Sequence, residues 1–129
     1  MNVLENVKAG MTAEKSVTVT PDLTVGHFVP HMPLVYATPM MILLMELAAA
    51  DAIARHLPEG FVSVGTEVNV RHLAATPVGR VVRAVARVTG VKGRGVLFAV
   101  EAWDRARKIG DGSHGRGVDN VASFAKRMT

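Results

Sequence analysis

The sequence predicts an α+β fold in which a curved antiparallel sheet wraps round one long central helix. Three observations carry that prediction. A run of about 18 residues from Met40 to Leu57 is apolar almost all the way round a helix of roughly 27 Å. One β-branched segment precedes it and four segments of period-two patterning follow it. The chain has 129 residues, 49% of them hydrophobic, which suits a single domain over 1–129 with one core.

Taken in order, residues 12 to 20 (Thr-Ala-Glu-Lys-Ser-Val-Thr-Val-Thr) are rich in β-branched side chains and close on Pro21-Asp22, as a strand ending in a turn does. Residues 21 to 37 hold Pro21, Pro30 and Pro33 among small apolar residues and read as a loop or lid. Thr38-Pro39 reads as a helix start, threonine as the cap and proline at the first helical position. After Pro58-Glu59-Gly60, Val62, Val64, Val68, Val70 and His72 alternate with polar residues and are assigned to the buried side of a half-buried strand. Ala75 to Gly79 form a turn, and Val82, Ala84, Ala86 and Val88 then alternate with Arg83, Arg87 and Thr89. Lys92-Gly93-Arg94-Gly95 is the next turn. Residues 96 to 107 form a strand expected to end at Gly110-Asp111-Gly112, and a last strand is expected over about 113 to 125.

Composition excludes several classes of function. With no cysteine there is no disulfide framework, no thiolate metal site and no cysteine nucleophile. The first residues lack the basic start and apolar core of a signal peptide, so a cytoplasmic protein is expected. The longest stretch free of Asp, Glu, Lys and Arg, from Leu23 to Met45, is interrupted by Pro30, Pro33 and Pro39, so no membrane association is expected. Net charge is +4, and ten of the 15 basic residues are arginine, a side chain suited to phosphate. Aromatic residues are few and scattered, so no nucleic-acid partner is expected. His27 and His31 are spaced i,i+4, but Pro30 breaks the helix that would exploit the spacing, so no metal site is indicated.

Three residues stand out for chemistry. Glu46 lies amid Met40–Met45 and Leu47–Ala50, with no opposite charge within one helical turn. Asp51 and Arg55 are expected to form an i,i+4 pair on another face. Glu46 is either a structural carboxylate satisfied by backbone N–H groups or a base or nucleophile. His72, assigned to the side of its strand that faces the helix, is the candidate to meet it. Thr38 places a hydroxyl at the helix N-terminus, where it either caps the helix or helps stabilise an oxyanion. Thr38 and Glu46 are eight residues apart, about 12 Å along one helix, too far to share a reacting carbon. A homodimer with antiparallel central helices would bring the start of one helix to the middle of the other.

The stretches Tyr36-Ala37-Thr38-Pro39, Leu44-Met45-Glu46, Ser63-Val64-Gly65-Thr66, Arg71 to Pro77 and Gly112-Ser113-His114-Gly115-Arg116 together resemble the hot-dog-fold acyl-CoA thioesterases, and most of all their fluoroacetyl-CoA thioesterase-like branch. The resemblance covers residues 12 to 125. It implies that Thr38, Glu46 and His72 form the catalytic set and that Gly65, Thr66, Met32, Tyr36 and Arg116 serve substrate binding. It also implies a homodimer, no metal, and no cofactor beyond the CoA carried by the substrate. Where that branch has a glycine after the threonine this chain has Pro39, and Met32 replaces an aromatic residue of the lid, so the implied substrate is an acyl-CoA thioester of unspecified acyl chain. The expected reaction is hydrolysis of that thioester to free acid and CoA. The alternative is a non-catalytic module that binds acyl-CoA or another small ligand in the same cleft.

Overall fold

The computed structural model describes residues 2–129. In chain order the elements are β1 (Thr12–Thr18), a 3-10 turn (Pro21–Leu23), α1 (Val25–Phe28), α2 (Thr38–Ala54), β2 (Phe61–His72), β3 (Val81–Lys92), β4 (Gly95–Asp104), β5 (Arg107–Asn120) and α3 (Val121–Arg127). The strands form one antiparallel sheet in the order β1-β3-β4-β5-β2, with α2 packed across it. β2, the first strand after the helix, crosses to the far edge and pairs with β5.

The core follows from the two periodicities. On β3 and β4 the alternate residues Val82, Ala84, Ala86, Val88 and Val96, Phe98, Val100, Ala102 are buried, as the alternation predicts. Against them α2 buries Met41, Leu44, Met45, Ala48, Ala49, Ala52 and Ile53. Alanines on both surfaces let the helix lie close to the sheet, and each larger apolar side chain contributes about 1.5–3 kcal/mol by leaving water. The helix is not wrapped on every side: Leu43 and Leu47 remain 47% and 41% exposed.

Several expectations are corrected. The helix stops at Ala54, three residues short of Leu57. Asp51 pairs with Lys15 Nζ of β1 at 3.2 Å instead of with Arg55. The reversal between β4 and β5 comes at Arg105-Ala106, with Arg105 at φ 58°, and Gly110-Asp111-Gly112 lie inside β5. Those glycines serve close approach. A Cβ on Gly110 would sit 2.5 Å from the Met41 sulfur, and one on Gly112 would overlap the Asn69 carbonyl of β2. The last segment leaves the sheet at Val121 and becomes α3, capped by Asn120, whose Oδ1 accepts from the Ser123 N–H at 3.0 Å. The lid is partly ordered as the 3-10 turn and α1, and Val25 N–H donates to the Val35 carbonyl to close it.

β2 holds the correction that matters most for the site. Its register against β5 shifts between Gly65 and Glu67, so Thr66 is an extra, bulged residue. A bulge reverses the alternation beyond it. The inner face of β2 is therefore Ser63, Gly65, Val68, Val70 and His72, opposite Val118, Arg116, His114, Gly112 and Gly110, whereas Val62 and Val64 fall on the outer face. His72 keeps its inward position because of the bulge.

Candidate functional site

α2 carries two candidate groups and β2 and β5 bring partners to each. At the start of α2 the N-cap position is Ala37, and Thr38, the first helical residue, does not cap the helix as expected. Its Oγ1 lies 2.8 Å from His72 Nδ1, at the end of β2. Gly110, paired with His72, leaves room beside this end of β2 for the Met41 side chain of the helix. Around the pair opens a cleft of about 340 Å³ lined by Val25, Tyr36, Thr38, His72, Leu73 and Ala75, among others. His72 Nε2 is buried without a hydrogen-bond partner. Burial pushes the His72 imidazole below its ordinary value of 6.5, because the charged form is the one that loses water.

That shift has a consequence for stability. Unfolded, His72 takes up a proton near pH 6.5; folded, only at lower pH. The unfolded state therefore binds more protons in the interval, and stability, complete above pH 6.5, falls as the pH drops through it. Melting temperature followed from about pH 7.5 down to about pH 5 is expected to decline, and His72→Gln to flatten part of that decline below pH 6.5. Identical slopes in both proteins would exclude His72 as the source.

Two turns further along α2, Glu46 reaches the first half of β2, at Gly65. Its side chain is 33% exposed, and Oε2 lies 3.6 Å from Arg116 Nη1 of β5. The opposite charge absent from its sequence neighbours is thus supplied from across the sheet. Gly65 forms the floor: a Cβ there would stand 2.5 Å from Glu46 Oε2. Arg116 is 8% exposed, with Nε donating to Ser63 Oγ at 2.8 Å and Nη2 to the Ser63 carbonyl at 2.9 Å.

Within one chain the structure brings Thr38 together with His72, and Glu46 together with Gly65 and Arg116, but not the two groups with each other. They are about 12 Å apart along α2 and about 20 Å apart along β2. Of the other residues assigned to substrate binding, Tyr36 lines the Thr38–His72 cleft and Met32 and Thr66 lie apart. Tyr36 is buried with its hydroxyl donating to the Met40 carbonyl at 3.0 Å, and burial raises its phenol to about 12. Met32 is 47% exposed in the lid. Thr66 turns to the outer face, over Gly115 and Gly117, away from Glu46. Sequence reasoning missed His114, whose Nε2 lies 3.1 Å from Arg116 Nη1. Its place two residues before Arg116, on the same face of one strand, was a usable signal. Of the arginines, Arg80 and Arg83 are paired with Asp104 and Glu14. Among the described residues no cluster of three or more potential metal ligands occurs, and no helix is long and apolar enough to cross a membrane.

The same architecture and sequence pattern occur in known proteins. The family model described as fluoroacetyl-CoA-specific thioesterase matches residues 19–122. A fluoroacetyl-CoA thioesterase of Streptantibioticus cattleyicolor is 36% identical over 130 residues, covering 96% of this chain and 94% of that protein. A solved structure of a phenylalanine-to-alanine variant of a fluoroacetyl-CoA-specific thioesterase, in complex with fluoroacetate and CoA, is 36% identical with a TM-score of 0.84, covering 92% of this chain and 99% of the other. A hot-dog-like protein from Thermanaerovibrio acidaminovorans is 26% identical with a TM-score of 0.89 over 99% of this chain and 95% of that one. On a match that spans most of the sequence, and on the sheet-wrapped helix common to these structures, the chain belongs to the fluoroacetyl-CoA-specific thioesterase family of hot-dog-fold thioester hydrolases.

Proposed function

We propose that this chain hydrolyses acyl-CoA thioesters at sites shared between two copies, each built from Glu46 of one protomer and the Thr38–His72 pair of its partner. The observation that carries the reading is the split described above: two complementary half-sites, each well formed, lie well apart along one strand, at Gly65 and at His72. β2 is an edge strand paired only with β5. Antiparallel pairing of its free edge with that of a second copy, centred near Val68 and Asn69, sets Gly65 opposite His72 of the partner subunit. Val68, 44% exposed, lies at the centre of the edge such a contact would cover. An unpaired sheet edge is a feature that association with a second copy resolves.

In this arrangement the thioester carbonyl lies near the start of the partner's helix, where the Thr38 hydroxyl, held by His72, meets the oxyanion as the tetrahedral intermediate develops. Glu46 attacks the carbonyl carbon or activates the water that does so. The leaving thiol has an ordinary pKa near 8.5, so it departs as thiolate with little acid assistance. Pro39 and Met32 stand where the fluoroacetyl-specific pattern has glycine and an aromatic residue, so the proposal is not restricted to a fluorinated acyl group.

A panel of short, branched and aromatic acyl-CoA esters, followed by release of free thiol, is the direct test. Release from at least one ester at a rate proportional to enzyme is expected. Tight binding of the esters with no thiol release would instead mark a ligand-binding module.

A further inference from the structure

We infer that His114 is a positioning residue for hydrolysis: it holds Arg116 Nη1 at a fixed distance from Glu46, so that the guanidinium steadies the carboxylate without capturing it. The inference rests on the catalytic role proposed above for Glu46.

The guanidinium of Arg116 is anchored at one end and steered at the other. Nε and Nη2 both donate to Ser63, to its hydroxyl and its carbonyl, which sets the plane of the group. Nη1 then points between two acceptors, His114 Nε2 at 3.1 Å and Glu46 Oε2 at 3.6 Å. The nearer acceptor is the imidazole. At 3.6 Å the contact to Glu46 is electrostatic, beyond the range of a good hydrogen bond.

The hydrogen-bond chemistry of the chain leaves one arrangement. Arginine has donors and no acceptor, so His114 Nε2 must accept. Nδ1 therefore carries the proton, and it lies 2.7 Å from the Glu67 carbonyl, which can only accept. Both ring contacts call for the same tautomer. The ring has no room to leave it: it is 1% exposed, stacks on Phe98 with centroids 6.1 Å apart, and its Cε1 would lie 3.3 Å from a Cβ on Gly65. The Glu67 carbonyl belongs to the residue just after the bulge, so the irregularity of β2 also sets the ring.

Without the acceptor at Nε2, Nη1 has one remaining partner within reach, the Glu46 carboxylate. It would close on it, drawing the group from its place over Gly65 and occupying a lone pair needed for reaction. The loss would fall on turnover more than on substrate binding, since orientation of a reacting group is what changes.

The test compares His114→Phe, which keeps a ring against Phe98 but offers no acceptor, with His114→Gln, whose amide oxygen can stand near the position of Nε2, in thiol-release kinetics on an acyl-CoA ester the parent hydrolyses. His114→Phe is expected to lower kcat about tenfold or more with KM within about twofold, and His114→Gln to recover most of the loss. In a Glu46→Gln background His114→Phe is expected to add no further loss. Equal losses in the two His114 variants would overturn the inference, since lost packing would then be the cause. So would parental kcat in His114→Phe alongside an inactive Glu46→Gln. An active Glu46→Gln would remove the role of Glu46 instead, a separate result. If His114→Phe does not fold, Ser63→Ala, which frees Nε at the other end of the same guanidinium, is expected to reduce kcat several-fold, and an unchanged kcat there overturns the inference as well.

Discussion

Replacing Glu46 with glutamine is expected to lower thiol release at least a hundredfold while leaving the fold intact. Glutamine matches glutamate in size, so the place above Gly65 stays filled, but it can neither attack a carbonyl nor take a proton from water. Groups in that role supply about 10²–10⁴ in rate, and a hundredfold loss is about 2.7 kcal/mol of activation free energy. The competing explanation is lost stability, and magnitudes separate the two. The Glu46–Arg116 pair spans 3.6 Å, with the glutamate side chain 33% exposed, so solvent screening holds its contribution to about 1 kcal/mol or less. Arg116 keeps its contacts to Ser63 and His114 in the variant. A melting temperature within a few degrees of the parent, with turnover down two orders of magnitude, is therefore the expected pair of measurements. Turnover within about tenfold of the parent would remove Glu46 from the reaction.

The central helix, the strands on either side of it and the inward faces of β3 and β4 were legible in the sequence because periodicity reports burial directly. Thr38-Pro39 marked the helix start within a residue, yet the threonine does not cap: a competing hydrogen-bond partner, His72, arrives from a strand more than thirty residues away, and nothing local announces it. The turn assigned to Gly110-Asp111-Gly112 failed for a related reason. Glycine is required both by turns and by close approach of two backbones, and only the packed fold shows that Met41 and Asn69 lie where side chains would go. The bulge at Thr66 was invisible in the run of alternating valines, because Val62 and Val64 are apolar on either face; assigning one face to the whole strand placed His72 correctly and those two valines wrongly. Glu46 was found as an apolar-face carboxylate without a neighbour, but its partner, Arg116, lies on the last strand and pairs through the sheet, beyond the reach of any spacing rule. α3 announced itself only through Asn120 and the basic residues at its end, signals weaker than the strand pattern they follow.

Mixing two inactive variants is expected to restore activity. Thr38→Ala removes the hydroxyl held by His72, and Glu46→Gln removes the carboxylate, so each homodimer has two damaged sites. In a site shared across a two-fold axis, a hybrid dimer joins both lesions in one site and leaves the other whole, with Glu46 from the Thr38→Ala chain and Thr38 and His72 from the Glu46→Gln chain. Random exchange makes about half of the dimers hybrid with one of two sites intact, so co-refolded equal amounts should recover about a quarter of parental thiol release. A site contained in one chain predicts no recovery, because every chain would carry a lesion in its own site. The geometry supports the shared arrangement. No side-chain motion closes the roughly 12 Å between Thr38 and Glu46 along a continuous helix, and their β2 partners, His72 and Gly65, lie about 20 Å apart. Failure of the mixture to exceed the sum of its parts, in a preparation shown to contain hybrids by co-purification through a different affinity tag on each variant, would place both half-sites to separate uses; a protein that sediments as a monomer at assay concentration would remove the shared site altogether.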